Sequence, residues 1–242
     1  MKTCKNCGKE LTHIQIIKKA ECCSKGCATS FRQKAHDPDL FEYEDKDFLY
    51  YVLGLIWSDG NLNKEEDKIT FCFKDKEFIE YLYNKICDTQ KHKIYEFHKK
   101  DFISYGFINT NKNFINKCKK LGLVSNKSKI ITYPDIPQKY QYSFIRGIFD
   151  GDGSVYVHNR YKGTNYLGVT ILSANKNFLI PLQQILTDNN IESNLLLDWR
   201  GSVYMIKIYK KESIKNFYNF IYKNSSHFLP RKKEVFIIND IV

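Results

Sequence analysis

Apolar and polar positions change period along this chain, and the changes repeat. Val52, Leu55 and Ile56 fall on one helical face that ends at Asp59, and Ile145, Ile148, Phe149 and Asp152 repeat that spacing. Written out, Val52-Leu53-Gly54-Leu55-Ile56-Trp57-Ser58-Asp59-Gly60 recurs as Ile145-Arg146-Gly147-Ile148-Phe149-Asp150-Gly151-Asp152-Gly153, offset by 93 residues at the Gly and Asp positions. After each copy comes polar sequence and then an alternating strand, Lys68 to Lys74 in the first and Gly168 to Ser173 in the second. Helices follow, with Phe78, Leu82 and Ile86 matching Phe178, Leu182 and Leu186 at an offset of 100, which puts about seven extra residues in a loop near Asn159 to Asn165. A second hairpin (Ile94 to Ile108, Asn194 to Tyr209) and a further helix (Asn113 to Leu121, Ser213 to Tyr222) complete an αββαββα order in each half. The pattern predicts an α+β fold of two pseudo-symmetric repeats, residues 46–140 and 141–242.

The repeated helices carry two features that a plain core helix does not need. Gly54 and Gly147 sit mid-helix, where glycine costs about 1 kcal/mol against alanine unless close backbone approach compensates, so the two helices are expected to pack on each other there. Each apolar stripe also ends in an aspartate, where the negative end of the helix dipole disfavours an anion by a few tenths to about 1 kcal/mol. Gly60 and Gly153 are expected to end the helices in the left-handed conformation. Pairing about a pseudo-twofold axis would bring Asp59 and Asp152 together as a hard oxygen site suited to Mg²⁺ (or Mn²⁺) and scissile phosphates.

Ahead of the repeats, the cysteines set off another segment. Cys4, Cys7, Cys22, Cys23 and Cys27 crowd the first 27 residues, whereas Cys72, Cys87 and Cys118 are scattered and read as small buried hydrophobes. Cys4-x2-Cys7 and Cys23-x3-Cys27 offer two chelating pairs for a tetrahedral structural Zn²⁺. Cys22 competes with Cys23 in register; Cys23 is preferred because its turn to Cys27 is tighter, with Gly26 available for positive φ. Residues 1–36 would form this module, folded by its metal because it is too small for its own core, and residues 37–45 read as a linker.

Composition narrows the partners. Lys plus Arg outnumber Asp plus Glu by 38 to 27, a net charge of +11, which would become about +9 with four thiolates on one Zn²⁺. That excess favours a polyanion. No apolar run approaches the length of a membrane span, and Met1-Lys2-Thr3-Cys4 does not read as a signal peptide, so an intracellular protein without disulfides is expected.

The paired motifs resemble those of the LAGLIDADG homing endonucleases in their single-chain, two-motif form, over roughly residues 46 to 242. Leu121-Gly122-Leu123 with Lys127-Ser128, Pro134-x-Ile136-Pro137, and Phe228-Leu229-Pro230-Arg231-Lys232-Lys233 also resemble the family's pattern. The resemblance implies a saddle of antiparallel sheets lying in the major groove of double-stranded DNA, with the motif helices between the halves. It implies that Asp59 and Asp152 hold the catalytic metal, that Lys127 and Lys232 stabilise charge or tune the nucleophile, and that Asp75 and Asn175 organise water. Trp57 and Ser58 depart from their counterparts Asp150 and Gly151, so the two catalytic halves are expected to be unequal.

The expected reaction is hydrolysis of one phosphodiester on each DNA strand by a protein acting as a monomer. Sequence would be read from outward strand positions, for which Lys68, Thr70, Lys74, Tyr156, His158, Arg160, Thr170, Arg200 and Lys207 are the candidates. Readings kept open are a non-cleaving nucleic-acid binder on the same scaffold, a splicing maturase or transcription regulator, and a zinc-binding interaction protein. An intein is disfavoured because Met1 and Asn239-Asp240-Ile241-Val242 lack splicing-junction residues.

Overall fold

The computed structural model describes residues 2–5, 7–34, 37–89, 92–99, 102–159, 165–198 and 201–239. After two short N-terminal helices, α1 (His13–Ile17) and α2 (Lys25–Lys34), the first half runs α3 (Lys46–Trp57), β1 (Asn61–Leu62), β2 (Ile69–Phe73), α4 (Lys76–Ile86), β3 (Tyr95–Lys99), β4 (Phe102–Asn109) and α5 (Lys112–Lys120). The second half runs α6 (Gln141–Asp152), β5 (Gly153–Asn159), β6 (Asn165–Ser173), α7 (Lys176–Asp188), β7 (Asn194–Leu197), β8 (Tyr204–Ile208) and α8 (Lys211–Tyr222), then a closing helix, α9 (Pro230–Ile238).

Each half folds into a four-stranded antiparallel sheet, in the orders β1-β2-β4-β3 and β5-β6-β8-β7. The α+β repeat read from periodicity is therefore the observed one. It departs from symmetry at two places: β1 has two residues where β5 has seven, and α9 has no helical counterpart in the first half, where a 3₁₀ turn at Lys127–Lys129 follows α5. One face of each sheet is closed. Ile69, Phe71 and Phe107 are wholly buried, as are Val169, Ile171 and Ile206. Alternate positions in register with them, such as the pairs Thr70 with Ile108 and Thr170 with Lys207, stay partly open.

The two sheets are joined by α3 against α6. Tyr51, Val52, Leu53, Leu55 and Ile56 have no exposed surface at all, nor do Phe144 and Ile145; α3 is therefore apolar around most of its circumference, because it is covered on both sides. Glycine makes the contact possible. A Cβ on Gly54 would fall on the Phe144 carbonyl and within 2.8 Å of the Gly147 Cα, and one on Gly147 would fall on the Tyr51 carbonyl. At the other end of the pair, Arg146, fully buried, donates to Asp47 at 2.7 Å and to the Ile221 carbonyl at 3.0 Å, tying the N-terminus of α3 to α6 and α8.

Three local expectations are corrected. Gly60 and Gly153 are not left-handed; positive-φ glycines among the described residues are Gly8, Gly122 and Gly201. They are glycine for another reason: a Cβ on Gly60 would lie 2.5 Å from the Ile56 Cα, and one on Gly153 2.5 Å from the Phe149 carbonyl oxygen. Gly26 likewise needs no positive φ, because Cys23 to Cys27 is the start of α2, capped by a bond from Cys27 N–H to Ser24 Oγ of 3.0 Å. Residues 37–45 are packed rather than loose. Asp37 is 1% exposed and accepts from Asp88 N, Thr110 N, Thr110 Oγ1 and His92 Nε2 at 2.6 to 3.0 Å, while Asp45 caps α3 through Phe48 N at 2.9 Å.

Candidate catalytic centre and nucleic-acid interface

The C-terminal ends of α3 and α6 emerge side by side between the sheets. Asp59 follows α3 and Asp152 closes α6; both residues are exposed, and they lie close enough for the Asp59 charge to act on Asp152. Two acids this close cannot both ionise freely. Asp152 is pushed up to about 6, first by desolvation and next by the Asp59 charge. Asp59 is raised by desolvation against the pull of Lys232 and Lys127.

Both predicted lysines stand at these helix ends. Lys232, 5% exposed, donates to the carbonyls of Phe149, Asp150, Gly151 and Gly153 at 2.6 to 2.9 Å, capping α6 with a cation. Burial lowers it to about 8, opposed chiefly by Asp150, so it remains an ammonium at neutral pH. Lys127 donates to the Ser58 carbonyl at the end of α3 and is lowered by desolvation against Asp152 and Asp59. The charges are crossed. Of the two lysines, Lys232 weighs more on Asp59 and Lys127 more on Asp152, whereas Lys127 caps the end of α3 and Lys232 the end of α6. A cleft of about 80 Å³ lined by Ser58, Lys127, Asp152 and Ser173 opens on the Lys127 side.

The unequal motif residues fit each other. Ser58 turns its hydroxyl back to the Gly54 and Leu55 carbonyls at 3.0 and 3.1 Å, and any side chain at Gly151 would collide with Ser58, 2.7 Å from its Cβ. Trp57 donates through Nε1 to the Thr132 carbonyl at 3.1 Å. Its counterpart Asp150 is buried and accepts from Tyr51 Oη at 2.8 Å, Leu229 N at 2.7 Å and Tyr222 Oη. Burial pushes Asp150 up to about 6 against these donors. Sequence reasoning did not give Trp57 and Asp150 a task; a carboxylate inside an apolar helical stripe was the available signal.

Asp75 and Asn175 occupy equivalent places, the N-caps of α4 and α7. Both make hydrogen bonds within the protein. Both oxygens of Asp75 accept from Arg231 Nε at 2.9 and 3.0 Å, and Asn175 accepts from Asn177 N at 3.0 Å while donating to the Ile131 carbonyl at 2.8 Å.

On the open sheet faces, Thr70 sits on β2 with Lys68 and Lys74 exposed at its ends; the Lys74 ammonium lies 3.9 Å from the centre of the Phe102 ring. In the second half Thr170 pairs with both Ser154 and Lys207, Tyr156 with Gly168, and His158 with Tyr166. A Cβ on Gly168 would meet the Tyr156 ring at 2.5 Å, so the tyrosine lies across the glycine. Tyr156, Tyr166, Tyr209, Asn194 and Lys207 line a cleft of about 270 Å³ there. Arg160 and Arg200 lie outside the described residues. Of the scattered cysteines, Cys87 and Cys118 are buried as expected, whereas Cys72 is only partly so, on the open face beside Gly106.

At the N-terminus the sulfurs of Cys4, Cys7, Cys23 and Cys27 come together within 4.8 Å of one another. The separations Cys7 to Cys23, Cys23 to Cys27 and Cys27 to Cys7 are 3.7, 3.5 and 3.8 Å. Bonds of about 2.3 Å to a tetrahedral Zn²⁺ put sulfurs about 3.8 Å apart, whereas a disulfide needs about 2.05 Å. The donor set and its spacing thus fit zinc. Cys22 is not in the cluster.

Residues 139–222 match the family described as LAGLIDADG-like domain. An uncharacterized protein of Methanocaldococcus jannaschii is 25% identical over 186 residues, 70% of this chain and 64% of that protein, so the chain spans less than two thirds of that relative. Among solved structures, the homing endonuclease I-WcaI bound to its DNA recognition sequence superimposes with a TM-score of 0.56 at 15% identity, covering 87% of this chain and 92% of that one. The homing endonuclease I-DmoI in complex with DNA and Ca gives 0.52 at 18% identity, with 82% and 98% covered. Full-length DUF199/WhiA from Thermatoga maritima gives 0.53 at 16% identity, with 83% and 63% covered. Residues 139–222 thus resemble a LAGLIDADG-like domain, and the chain has the α+β saddle fold of these solved structures. Among the described residues no helix is long and apolar enough to cross a membrane.

Proposed function

We propose that this chain is a site-specific endonuclease of the LAGLIDADG type, hydrolysing one phosphodiester on each strand of a long double-stranded DNA site, with a zinc-held module at residues 1–36. The observation that carries this reading is the juxtaposition of Asp59 and Asp152, both exposed, at the ends of two glycine-packed helices. Their oxygens are the hard donors that Mg²⁺ or Mn²⁺ prefers, and their raised pKa values, from desolvation at both and from the Asp59 charge at Asp152, mark a place where a cation is the natural complement. When bound there, a divalent ion supplies a water of lowered pKa and neutralises charge on the phosphate and leaving oxygen.

The chain's own groups do the rest. Lys127 and Lys232 hold fixed positive charge beside the carboxylates, each oriented by helix-end carbonyls, so that little reorganisation is needed as anionic charge grows. Lys68, Thr70, Lys74, Tyr156, Thr170 and Lys207 offer donors and aromatic surface on the open sheet faces for base edges and backbone. Structural neighbours described as bound to DNA support this assignment.

The fold shared with DUF199/WhiA favours a second reading, a nucleic-acid binder that does not cleave. Selection of cleaved sites from a genomic or random DNA library with Mg²⁺ separates the two. The nuclease reading expects discrete cut sites, lost in Asp59→Asn and Asp152→Asn while DNA binding persists. Sequence-selective binding with no strand scission by wild type in Mg²⁺ or Mn²⁺ establishes the binder instead. Repeating the selection without residues 1–36 shows whether the cysteine module sets affinity or specificity.

A further inference from the structure

Each lysine of the candidate centre rides on a segment held from two directions. The segment after Lys127 is held from its own half by Trp57 Nε1, which donates to the Thr132 carbonyl at 3.1 Å, and from the other half by Asn175 Nδ2, which donates to the Ile131 carbonyl at 2.8 Å. The segment carrying Lys232 is held from its own half by Asp150, which accepts from Leu229 N at 2.7 Å, and from the other half by Asp75, which accepts from Arg231 Nε at 2.9 and 3.0 Å. Positions 57 and 150 are equivalent in the repeat, as are 75 and 175. The chemistry of the bonds differs on the two sides, yet their placement does not.

We infer that Asp75 and Asn175 are positioning residues, each fixing the lysine that follows the opposite half, so that each lysine depends on a loop of the half it does not belong to. This rests on the nuclease reading for its catalytic consequence, but not for its structural one. Lys127 Nζ reaches the Ser58 carbonyl only while the turn from Lys127 to Ile131 stays where it is, closed by bonds from Ile130 N and Ile131 N to the Lys127 carbonyl at 2.9 and 2.8 Å. Lys232 meets its four carbonyls only while the first turn of α9 sits over the end of α6. The two cross-half bonds also differ in kind. Asn175 makes a neutral amide bond, whereas Asp75 makes a half-exposed ion pair with Arg231, which salt weakens more.

Asn175→Asp is the discriminating variant, because its carboxylate still accepts from Asn177 N and caps α7 while losing the donor to Ile131. Asp75→Ala removes the other tether; the Asp75 side chain makes no capping bond to α4. Amide hydrogen exchange of the full chain, without DNA, should quicken about tenfold or more across residues 127–132 in Asn175→Asp and across 229–233 in Asp75→Ala, with the other segment unchanged. In strand-resolved nicking on a selected site, Asn175→Asp should slow one strand by on the order of 10²-fold, and Asp75→Ala the other. Asp75→Glu should recover most of the second loss. Unchanged exchange at both segments, or equal exchange effects in both variants, overturns the inference whether or not the wild type cleaves. Segment-selective exchange with a wild type that cuts nothing upholds the tethers and rejects the nuclease reading. Equal slowing of both strands by each variant overturns the lysine-by-lysine coupling.

Discussion

Asp59 and Asp152 stand 93 positions apart in the chain and meet where α3 packs on α6, near enough for the charge of Asp59 to raise Asp152. Burial and the Asp59 charge favour a proton on Asp152 in the metal-free protein. A cation placed between the two carboxyl groups must displace it, which couples metal binding, pH and folding stability at one point.

The sign of that coupling is fixed by the raised pKa values. In the folded chain Asp59 lies above its ordinary 3.8 and Asp152 is raised to about 6, so between these limits the folded state binds more protons than the unfolded one. Stability from this pair is full below pH 3.8 and is lost as pH climbs through about 6. Buried Asp150 acts in the same direction. Urea denaturation in EDTA should therefore show wild type losing stability relative to Asp152→Asn as pH rises across this window, and Mg²⁺ should restore it above the window. A wild type that gains on Asp152→Asn with rising pH in EDTA contradicts the raised pKa of Asp152.

Gly54→Ala and Gly147→Ala should each destabilise the protein by about 3 kcal/mol or more, since the added methyl meets backbone and not the tip of a flexible side chain. Thermal denaturation reads the loss. Gly26→Ala is the contrast: the nearest atom to its Cβ is Ser24 Oγ at 3.8 Å, and in a helix alanine is favoured by about 1 kcal/mol. A Gly54→Ala protein as stable as wild type would mean that the helices are not packed at this distance.

How far the sequence carried this picture depended on whether the determining bonds were local. Helical and alternating periods at 52–59, 145–152, 68–74 and 168–173 placed elements whose faces the observed register reproduces, because burial of one face is written into consecutive side chains. Mid-helix glycines announced the contact of α3 and α6 since glycine there has no local benefit. Gly60 and Gly153 were misread because a glycine required by crowding against Ile56 or Phe149 looks the same in sequence as one required by handedness. Asp37, read as part of a linker, and Asp75, read as a water organiser, drew their partners from 51 to 156 positions away. No local pattern encodes such pairings.

The cysteine cluster yields a prediction that separates neighbours in sequence. Purified wild type should carry about one equivalent of zinc, and Cys23→Ser should lose it together with protection of residues 2–27 from proteolysis, because the metal supplies most of the folding free energy of so small a module. Cys22→Ser should keep both, its thiol lying outside the cluster. Metal content by mass spectrometry after dialysis decides. Retained zinc in Cys23→Ser with loss in Cys22→Ser would reverse the ligand assignment.

Lys232 and Lys127 should differ in what they contribute to folding even though they hold equivalent places beside the carboxylates. Lys232 is 5% exposed, and its three N–H donors are shared among the carbonyls of Phe149, which also accepts from Gly153 N–H, and of Asp150, Gly151 and Gly153; removing it takes a donor from these acceptors and leaves Asp150 with one fewer balancing charge. Lys232→Ala should therefore cost about 3 kcal/mol, whereas Lys127→Ala, a half-buried lysine that donates to the single carbonyl of Ser58, should cost about 1 kcal/mol. Lys232→Met keeps the packing of the stem without the charge and should recover only a minor part of the loss, because the carbonyls still lack that donor. Denaturant unfolding of the three variants measures the ordering. Equal, small losses at both lysines would show that the ammonium of Lys232 is solvated and that α6 ends without its cationic cap.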